Sequence, residues 1–187
     1  MQIIAGNTVN LPEGVFARVS SYRHHVFVEK LGWELDCHDG LELDQFDRPD
    51  TVYVVAQDNE ERIQGCARLL PTTQSYLLSE VFPQLLNGAP APNSPDIWEL
   101  SRFAAVDLNN PSGTTNRQFS SDLAIKLLRE SIKVAKSKGA KRLITVSPLG
   151  IERLLSRAGF SMHRAGPPML IAGKYPIFAC WIDLVEG

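Results

Sequence analysis

Apolar residues recur at close to helical spacing between positions 14 and 30. Phe16, Val19, Val26 and Phe27 mark one face and Gly32 follows as a stop, so the pattern predicts an amphipathic helix over 14–30. The pattern then dissolves. Residues 33–50 are rich in acidic groups and end in Arg48-Pro49-Asp50. This predicts a surface loop longer than a compact domain usually carries, and such loops tend to be functional. Two β-rich runs, 51–58 and 62–70, flank the polar Asp58-Asn59-Glu60-Glu61, which reads as a hairpin turn. A short helix is expected over 76–86, ahead of a Pro-rich loop at 89–95. Residues 97–106 read as a strand and 107–115 as a loop rich in Asn, Pro, Ser and Gly. The clearest helix spans 120–138, with Ser120 or Ser121 as its cap and Gly139 as its stop. Its apolar face comprises Ala124, Leu127, Leu128, Ile132 and Ala135. A strand (142–147), a short helix (150–158) ending at Gly159 and a last strand (176–184) complete the chain. A hairpin followed by helix–strand alternation predicts one α/β domain over 1–187, a three-layer α/β/α sandwich with a mixed sheet.

Composition narrows the function classes. The chain has 187 residues, 44% hydrophobic and 21% charged, enough for one buried core. No apolar run is long enough to span a bilayer. Residues 1–10 lack the basic and apolar regions of a signal peptide. Cys37, Cys66 and Cys180 are odd in number, far apart and without metal-ligand spacing to the four histidines. They are expected to be reduced thiols in a cytoplasmic protein, and no metal site is expected. The net charge of −2 conceals a division: residues 1–125 hold 8 basic and 17 acidic side chains, and residues 126–187 hold 11 and 4. Such a surface could meet partners of opposite charge, or serve solubility alone.

Three groups of residues could carry chemistry. Arg23, Phe27, Trp33, Asp44 and Asp47 lie in the first helix and its following loop. Arg23 and Phe27 are four apart and share a helix face. Aromatic rings beside two carboxylates suit a flat, cationic ligand. The structural alternative is an ion-pair network of Arg23 with Asp44 or Asp47 that pins the loop, with Phe27 and Trp33 in the core. In the strand 97–106, regular alternation would put Glu99, Ser101 and Phe103 on one face and Trp98, Leu100 and Arg102 on the other. A glutamate among apolar neighbours has its pKa raised toward the range useful to a general base. Alternatively it forms a buried salt bridge with Arg68 or Arg102 that fixes the sheet register. Finally, Lys126, Arg129, Lys133 and Lys136 step along one helix face, Lys141 and Arg142 extend the line, and Arg153 and Arg157 form an i,i+4 pair. This is either a solvated face or a docking surface for an acidic partner. Nucleic acid is disfavoured, since the sequence pI is near 6.1 and no aromatics interleave the basic residues.

The separated motifs resemble those of the acyl-homoserine-lactone (autoinducer) synthases along nearly the whole chain. The resemblance rests on Tyr-Arg-His-His-Val-Phe at 22–27, Leu-Gly-Trp-Glu at 31–34, Asp-Gln-Phe-Asp at 44–47, Gly-Cys-Ala-Arg-Leu-Leu-Pro-Thr-Thr at 65–73 and Trp-Glu-Leu-Ser-Arg-Phe at 98–103. It implies a twisted mixed sheet similar to that of the acyl-coenzyme A N-acetyltransferases, with a gap between two splayed strands, here 97–106 and 142–147. It also implies a quorum-sensing enzyme that joins an acyl chain from acyl carrier protein to S-adenosylmethionine, a substrate rather than a cofactor, and releases an acyl-homoserine lactone and methylthioadenosine. Glu99 would be the base and Ser101 would orient a water. Phe27, Trp33, Asp44 and Asp47 would hold S-adenosylmethionine, Arg23, Arg68 and Arg102 would brace the loop or meet its carboxylate, and Phe82 and Phe103 would help enclose it. The resemblance further implies an acyl pocket of Leu100, Leu123, Thr145, Ser147, Leu149, Leu154 and Ile182, with Thr145 or Ser147 able to bond a substituent on acyl carbon three. The basic residues would dock the acidic carrier. Two rivals differ in prediction. An acetyl-coenzyme A N-acetyltransferase needs a glycine-rich pyrophosphate loop, which 110–117 does not supply. A non-catalytic binding module would not bind S-adenosylmethionine.

Overall fold

The computed structural model describes residues 1–108, 122–171 and 175–184. The expected loop beyond 108, the cap at Ser120 or Ser121 and the stretch 110–117 lie outside these residues. The chain order is β1 (Gln2–Gly6), α1 (Val15–Arg23), β2 (Cys37–His38), β3 (Leu41–Glu42), β4 (Val52–Gln57), β5 (Ile63–Pro71), α2 (Leu77–Val81), β6 (Ile97–Ala104), α3 (Asp122–Ser137), β7 (Arg142–Pro148), α4 (Gly150–Ala158), β8 (Met162–Arg164), β9 (Met169–Ile171) and β10 (Tyr175–Asp183).

The main sheet has the order β1-β4-β5-β6-β7-β10-β8, with β9 paired to β10. All its pairings are antiparallel except β6 with β7. Every residue of β4 is buried, which suits its run of apolar and β-branched side chains covered on both faces. One face carries α3 and α4, whose leucines and alanines pack against Leu69, Leu100 and Phe178. The other face carries α1 beside β4 and β5, and α2 beside β6 and β7. The expected three layers are present.

Two local features position the site. Pairing between β6 and β7 runs from Ile97↔Arg142 to Leu100↔Thr145 and then stops. Beyond it β6 stays with β5 as far as Ala104, while β7 stays with β10 as far as Pro148. The strands therefore part after Leu100 and Thr145, and these are the two strands expected to splay. At Gly65, α3 comes close to the sheet: an added Cβ would lie 3.0 Å from the Ala104 carbonyl and 3.1 Å from Leu127. Only a glycine admits that approach without displacement.

The structure revises several boundaries. The first helix is α-helical only to Arg23, and His24–Lys30 continues it with π-helical winding. The acidic loop contains the short β2–β3 hairpin. Strands β1, β8 and β9 were not anticipated. Each has three to five residues, too short for a secure alternation, and each is specified by its pairing partner rather than by its own pattern.

Candidate active site

The α1/α2 face of the sheet holds a closed cluster of three arginines and three carboxylates. Arg23 comes from the end of α1, Arg68 from the middle of β5 and Arg102 from β6. Glu42 comes from β3, and Asp44 and Asp47 from the turn that follows it. Arg23 binds Asp47 through two nitrogens, at 2.7 and 3.1 Å, and also donates to Glu42. Arg68 reaches Asp44 at 2.6 Å and Asp47 at 3.1 Å, and its Nε donates to Ser101 Oγ at 3.0 Å. Arg102 reaches Glu42 at 2.9 Å and Asp44 at 3.0 Å. Tyr53 adds a hydroxyl bond to Asp47 at 2.7 Å.

Burial opposes ionisation of Glu42 and Asp47, but the guanidiniums outweigh it. Arg102 and Arg23 hold Glu42 below the usual carboxylate range, and Arg23 and Arg68 do the same for Asp47. The network that was one alternative for Arg23 is thus present, and it is larger than expected because it includes Glu42. Glu42 could have been singled out in the sequence. It stands two residues before Asp44, which places the two on one side of an extended segment. One donor is left over: Arg68 Nη2 is buried without a hydrogen-bond partner. An orphaned guanidinium N–H at such a depth is costly, and an anionic ligand would relieve it.

Glu99 lies on the same face, in a different environment. It is 0% exposed and has no ion-pair partner among the described residues. Its carboxylate accepts the backbone N–H of Leu77 at 3.0 Å and of Leu78 at 2.7 Å. Burial pushes its pKa up to about 7, against the pull of those amides and of Arg68 and Arg102. The alternative salt bridge with Arg68 or Arg102 is not made: both arginines turn to the loop carboxylates, and Arg68 also donates to Ser101. A carboxyl group that titrates near neutrality can exchange a proton in either direction.

The alternation expected for residues 97–106 fails at Arg102. Between the pairs Arg68↔Ser101 and Cys66↔Ala104, β6 places Arg102 and Phe103 against the single Ala67. Arg102 takes φ +49°, a β-bulge whose carbonyl accepts the Cys66 thiol at 3.3 Å. The extra residue turns Arg102 toward Glu42 and Asp44, on the side of Glu99 and Ser101. It turns Phe103 into the core beneath α3. Phe103 is therefore on the opposite face from the cluster it was expected to help enclose. Phe27 and Trp33 behave as a pair: their rings stack at 4.8 Å with 24° between planes, and the Arg102 guanidinium lies 5.8 Å from the centre of the Phe27 ring. Phe27 is fully buried, whereas Trp33 is half-buried and reaches the surface. Phe82, just after α2, packs against the cluster around Phe46 and Leu78.

The expected acyl-pocket residues gather on the α3/α4 face, behind the parting of β6 and β7. Leu100, Leu154 and Ile182 are buried in one core, with Leu123 packed against it. Thr145 and Ser147 are buried and their hydroxyls lie 2.9 Å apart. Leu149 differs: it is 37% exposed at the start of α4, a rim position rather than a wall. The gap thus joins a polar, charge-balanced face to an aliphatic one.

Comparison with known proteins decides what this arrangement belongs to. The family profile described as Autoinducer synthase matches residues 10–186. The chain belongs to the autoinducer synthase family. It is 61% identical to the acyl-homoserine-lactone synthase of Acinetobacter nosocomialis, over 98% of this chain and 100% of that one. Its fold matches that of TofI, solved in a ternary complex with an inhibitor and MTA, with a TM-score of 0.82, 44% identity and coverage of 98% and 92%. It also matches BjaI, described as a CoA-dependent acyl-homoserine lactone synthase solved with SAM and isopentyl-CoA, with a TM-score of 0.84, 30% identity and coverage of 98% and 83%. An acyl-CoA N-acyltransferase from Pseudomonas aeruginosa shares the fold at 12% identity and a TM-score of 0.65. The protein is accordingly an enzyme, an acyltransferase of the synthase family.

For a family acyltransferase, the basic surface is the remaining element. The α3 stripe is exposed as its spacing predicted, but its charges are not equivalent. Lys141 pairs with Asp96 at 2.7 Å, and Arg142 pairs with Asp183 at 3.1 Å and lies 4.0 Å over the Trp181 ring. Arg129 donates to the Ala158 carbonyl at 3.4 Å, Arg157 is 4.0 Å from Asp122, and Lys133 is 3.6 Å from Glu130. Lys126, Lys136 and Arg153 have no partner among the described residues. No helix among those residues is long and apolar enough to cross a membrane.

Proposed function

We propose that the protein condenses S-adenosylmethionine with a fatty-acyl thioester carried on acyl carrier protein, giving an N-acyl-L-homoserine lactone signal and methylthioadenosine. The observation that carries this reading is Glu99, a buried carboxyl group without an ion pair among the described residues, its pKa pushed up to about 7 by burial, beside the opening between β6 and β7.

S-adenosylmethionine would lie on the α1/α2 face as a consumed substrate, with no resident cofactor required. The spare Nη2 of Arg68 suits its carboxylate. The Phe27–Trp33 stack suits its flat and cationic parts. Asp44, the cluster carboxylate with the most exposed side chain at 16%, suits the sulfonium, while Asp47 and Glu42 serve as bracing. Glu99 removes the proton that the amine must lose, directly or through a water held by Ser101. The amine then attacks the thioester carbonyl. The intermediate collapses to an amide, and the thiolate leaves and takes up the proton. One carboxylate oxygen next attacks the γ-carbon; the C–S bond breaks, and its electron pair converts the sulfonium to the neutral thioether of methylthioadenosine. The acyl tail would run through the gap to the aliphatic face, where Thr145 and Ser147 offer the hydroxyls among its walls.

The carrier protein is favoured as donor because Lys126, Lys136 and Arg153, without a partner among the described residues, give the helical surface positive charge suited to an acidic partner. The second reading is an acyl-coenzyme A donor, which the likeness to the CoA-dependent BjaI favours. Incubation with S-adenosylmethionine and matched panels of acyl carrier proteins and acyl-coenzyme A esters, with methylthioadenosine as readout, tests both. We expect release with a carrier-protein donor. Release with coenzyme A esters alone reverses the donor assignment, and none with any donor overturns the activity.

A further inference from the structure

Both oxygens of Glu99 are engaged by backbone rather than by side chains. Leu77 donates to one and Leu78 to the other, at 3.0 and 2.7 Å. These amides open α2, where N–H groups have no partner within their own helix. The charged and titratable groups around Glu99 are few. Arg68 approaches from β5 and Arg102 from its own strand, both committed to the loop carboxylates. Tyr76 approaches from the segment leading into α2, with its hydroxyl bonded to the Pro92 carbonyl at 2.7 Å.

We propose that the backbone amides of Leu77 and Leu78 are the positioning groups of the base: they orient the Glu99 carboxylate and favour its ionised form, so that α2 sets the pH at which acyl transfer begins. This rests on the reading of Glu99 as the base and adds to it the element that tunes it. The logic is that of competing solvation. Burial in an apolar seat favours the neutral acid, and hydrogen bonds to the charged form favour the carboxylate. A carboxylate accepts both N–H groups fully. A protonated carboxyl turns one oxygen into a donor and leaves a buried amide underserved. Without the amides, burial would carry the proton affinity of Glu99 further up and leave it protonated at neutral pH.

Leu77 permits a clean test. Tyr76 before it is extended, at φ −144° and ψ 165°, which suits a residue preceding proline, and proline is favoured in the first helical position. Leu77→Pro therefore removes one N–H with little demand on the backbone, and Leu77→Ala keeps the N–H while removing the side chain. The readouts are the titration midpoint of Glu99 by carboxyl 13C NMR and the acidic limb of the kcat/KM profile. Loss of one hydrogen bond to a charged group should raise the midpoint by about one unit in Leu77→Pro. The acidic limb should move with it, lowering the rate at pH 7 about fivefold. Leu77→Ala should leave the midpoint in place. Should Leu77→Pro not fold, replacing Leu78 by its α-hydroxy acid deletes the second N–H and must give the same upward shift. A midpoint in either variant equal to that of Leu77→Ala overturns the proposal. Glu99→Gln reports separately on the underlying reading: full activity there removes Glu99 as the base, and the NMR midpoints still judge the tuning by α2.

Discussion

Glu42 and Glu99 are buried to the same degree on the same face of the sheet, yet their surroundings drive them in opposite directions. Glu42 sits among guanidiniums and is held ionised. Glu99 sits against α2, with peptide N–H groups as its hydrogen-bond partners among the described residues, and its pKa is pushed up to about 7. The difference teaches that burial alone does not make a glutamate reactive. What matters is whether guanidiniums in direct contact compensate it, or peptide dipoles with the positive charges held further off. The arginine cluster is stoichiometric, three against three, and its Glu42 and Asp47 resist protonation. Glu99 is solvated just enough to ionise and can still accept a proton.

Four experiments would break or sharpen this contrast. The largest effect is expected at the cluster. Glu42→Ala leaves Arg23 with Asp47 alone and Arg102 with Asp44 alone in the interior, and breaking a buried ion pair costs about 3–5 kcal/mol. Denaturant unfolding should show it, and a loss below about 1 kcal/mol would mean that the cluster does not hold the loop. Glu99→Gln should lower turnover by about 100-fold or more while folding and S-adenosylmethionine binding persist, which steady-state rates and calorimetry would read. Full turnover would make Glu99 a structural cap for α2.

The third test uses pH. The folded-state pKa values of Glu42 and Asp47 are depressed, so their contribution to stability is present above the unfolded values and is lost as pH falls through the folded ones. For Glu99 the folded value is raised to about 7. The folded state therefore binds its proton more tightly, and stability falls as pH rises from about 4.5 to 7, with a slope of at most about 1.4 kcal/mol per pH unit for one proton. Glu99→Gln should remove that neutral slope and leave the acid limb, whereas Glu42→Gln should leave the neutral slope and shrink the acid limb to the share that Asp47 supplies. Identical curves for the two variants would dissolve the comparison. The smallest effect is expected far from both glutamates. Reversing Lys133 and Lys136 to Glu should raise the KM for the carrier protein about several-fold, leave S-adenosylmethionine affinity alone and change stability by less than about 0.5 kcal/mol. An unchanged KM would place the docking surface elsewhere.

Much of the fold was legible because its strongest elements are periodic over a long stretch. Helix α3 announces itself through Ala124, Leu127, Leu128, Ile132 and Ala135, all buried as expected. The apolar β4 and β5 are likewise unambiguous. Arg23, Asp44, Asp47, Arg68 and Arg102 were each singled out, and the structure brings them into one network. Glu42 was missed because the hairpin that presents it is only two residues on each side, so its one signal is the single two-residue step to Asp44. Phe103 was placed on the wrong face because a one-residue bulge inverts every side chain beyond it, and nothing in Leu-Ser-Arg-Phe marks an arginine for φ +49°.

By itself the sequence determined the layered α/β architecture, the charge division, the family motifs and which residue types would do the work, because these depend on composition and on local periodicity. The tertiary structure alone decided the pairing among the charges and the fate of Glu99. Both depend on distances of a few ångströms between residues tens of positions apart. No spacing in the sequence could say that Arg68 and Arg102 would turn to the acidic loop, or that two amides of α2 would take their place beside the buried glutamate.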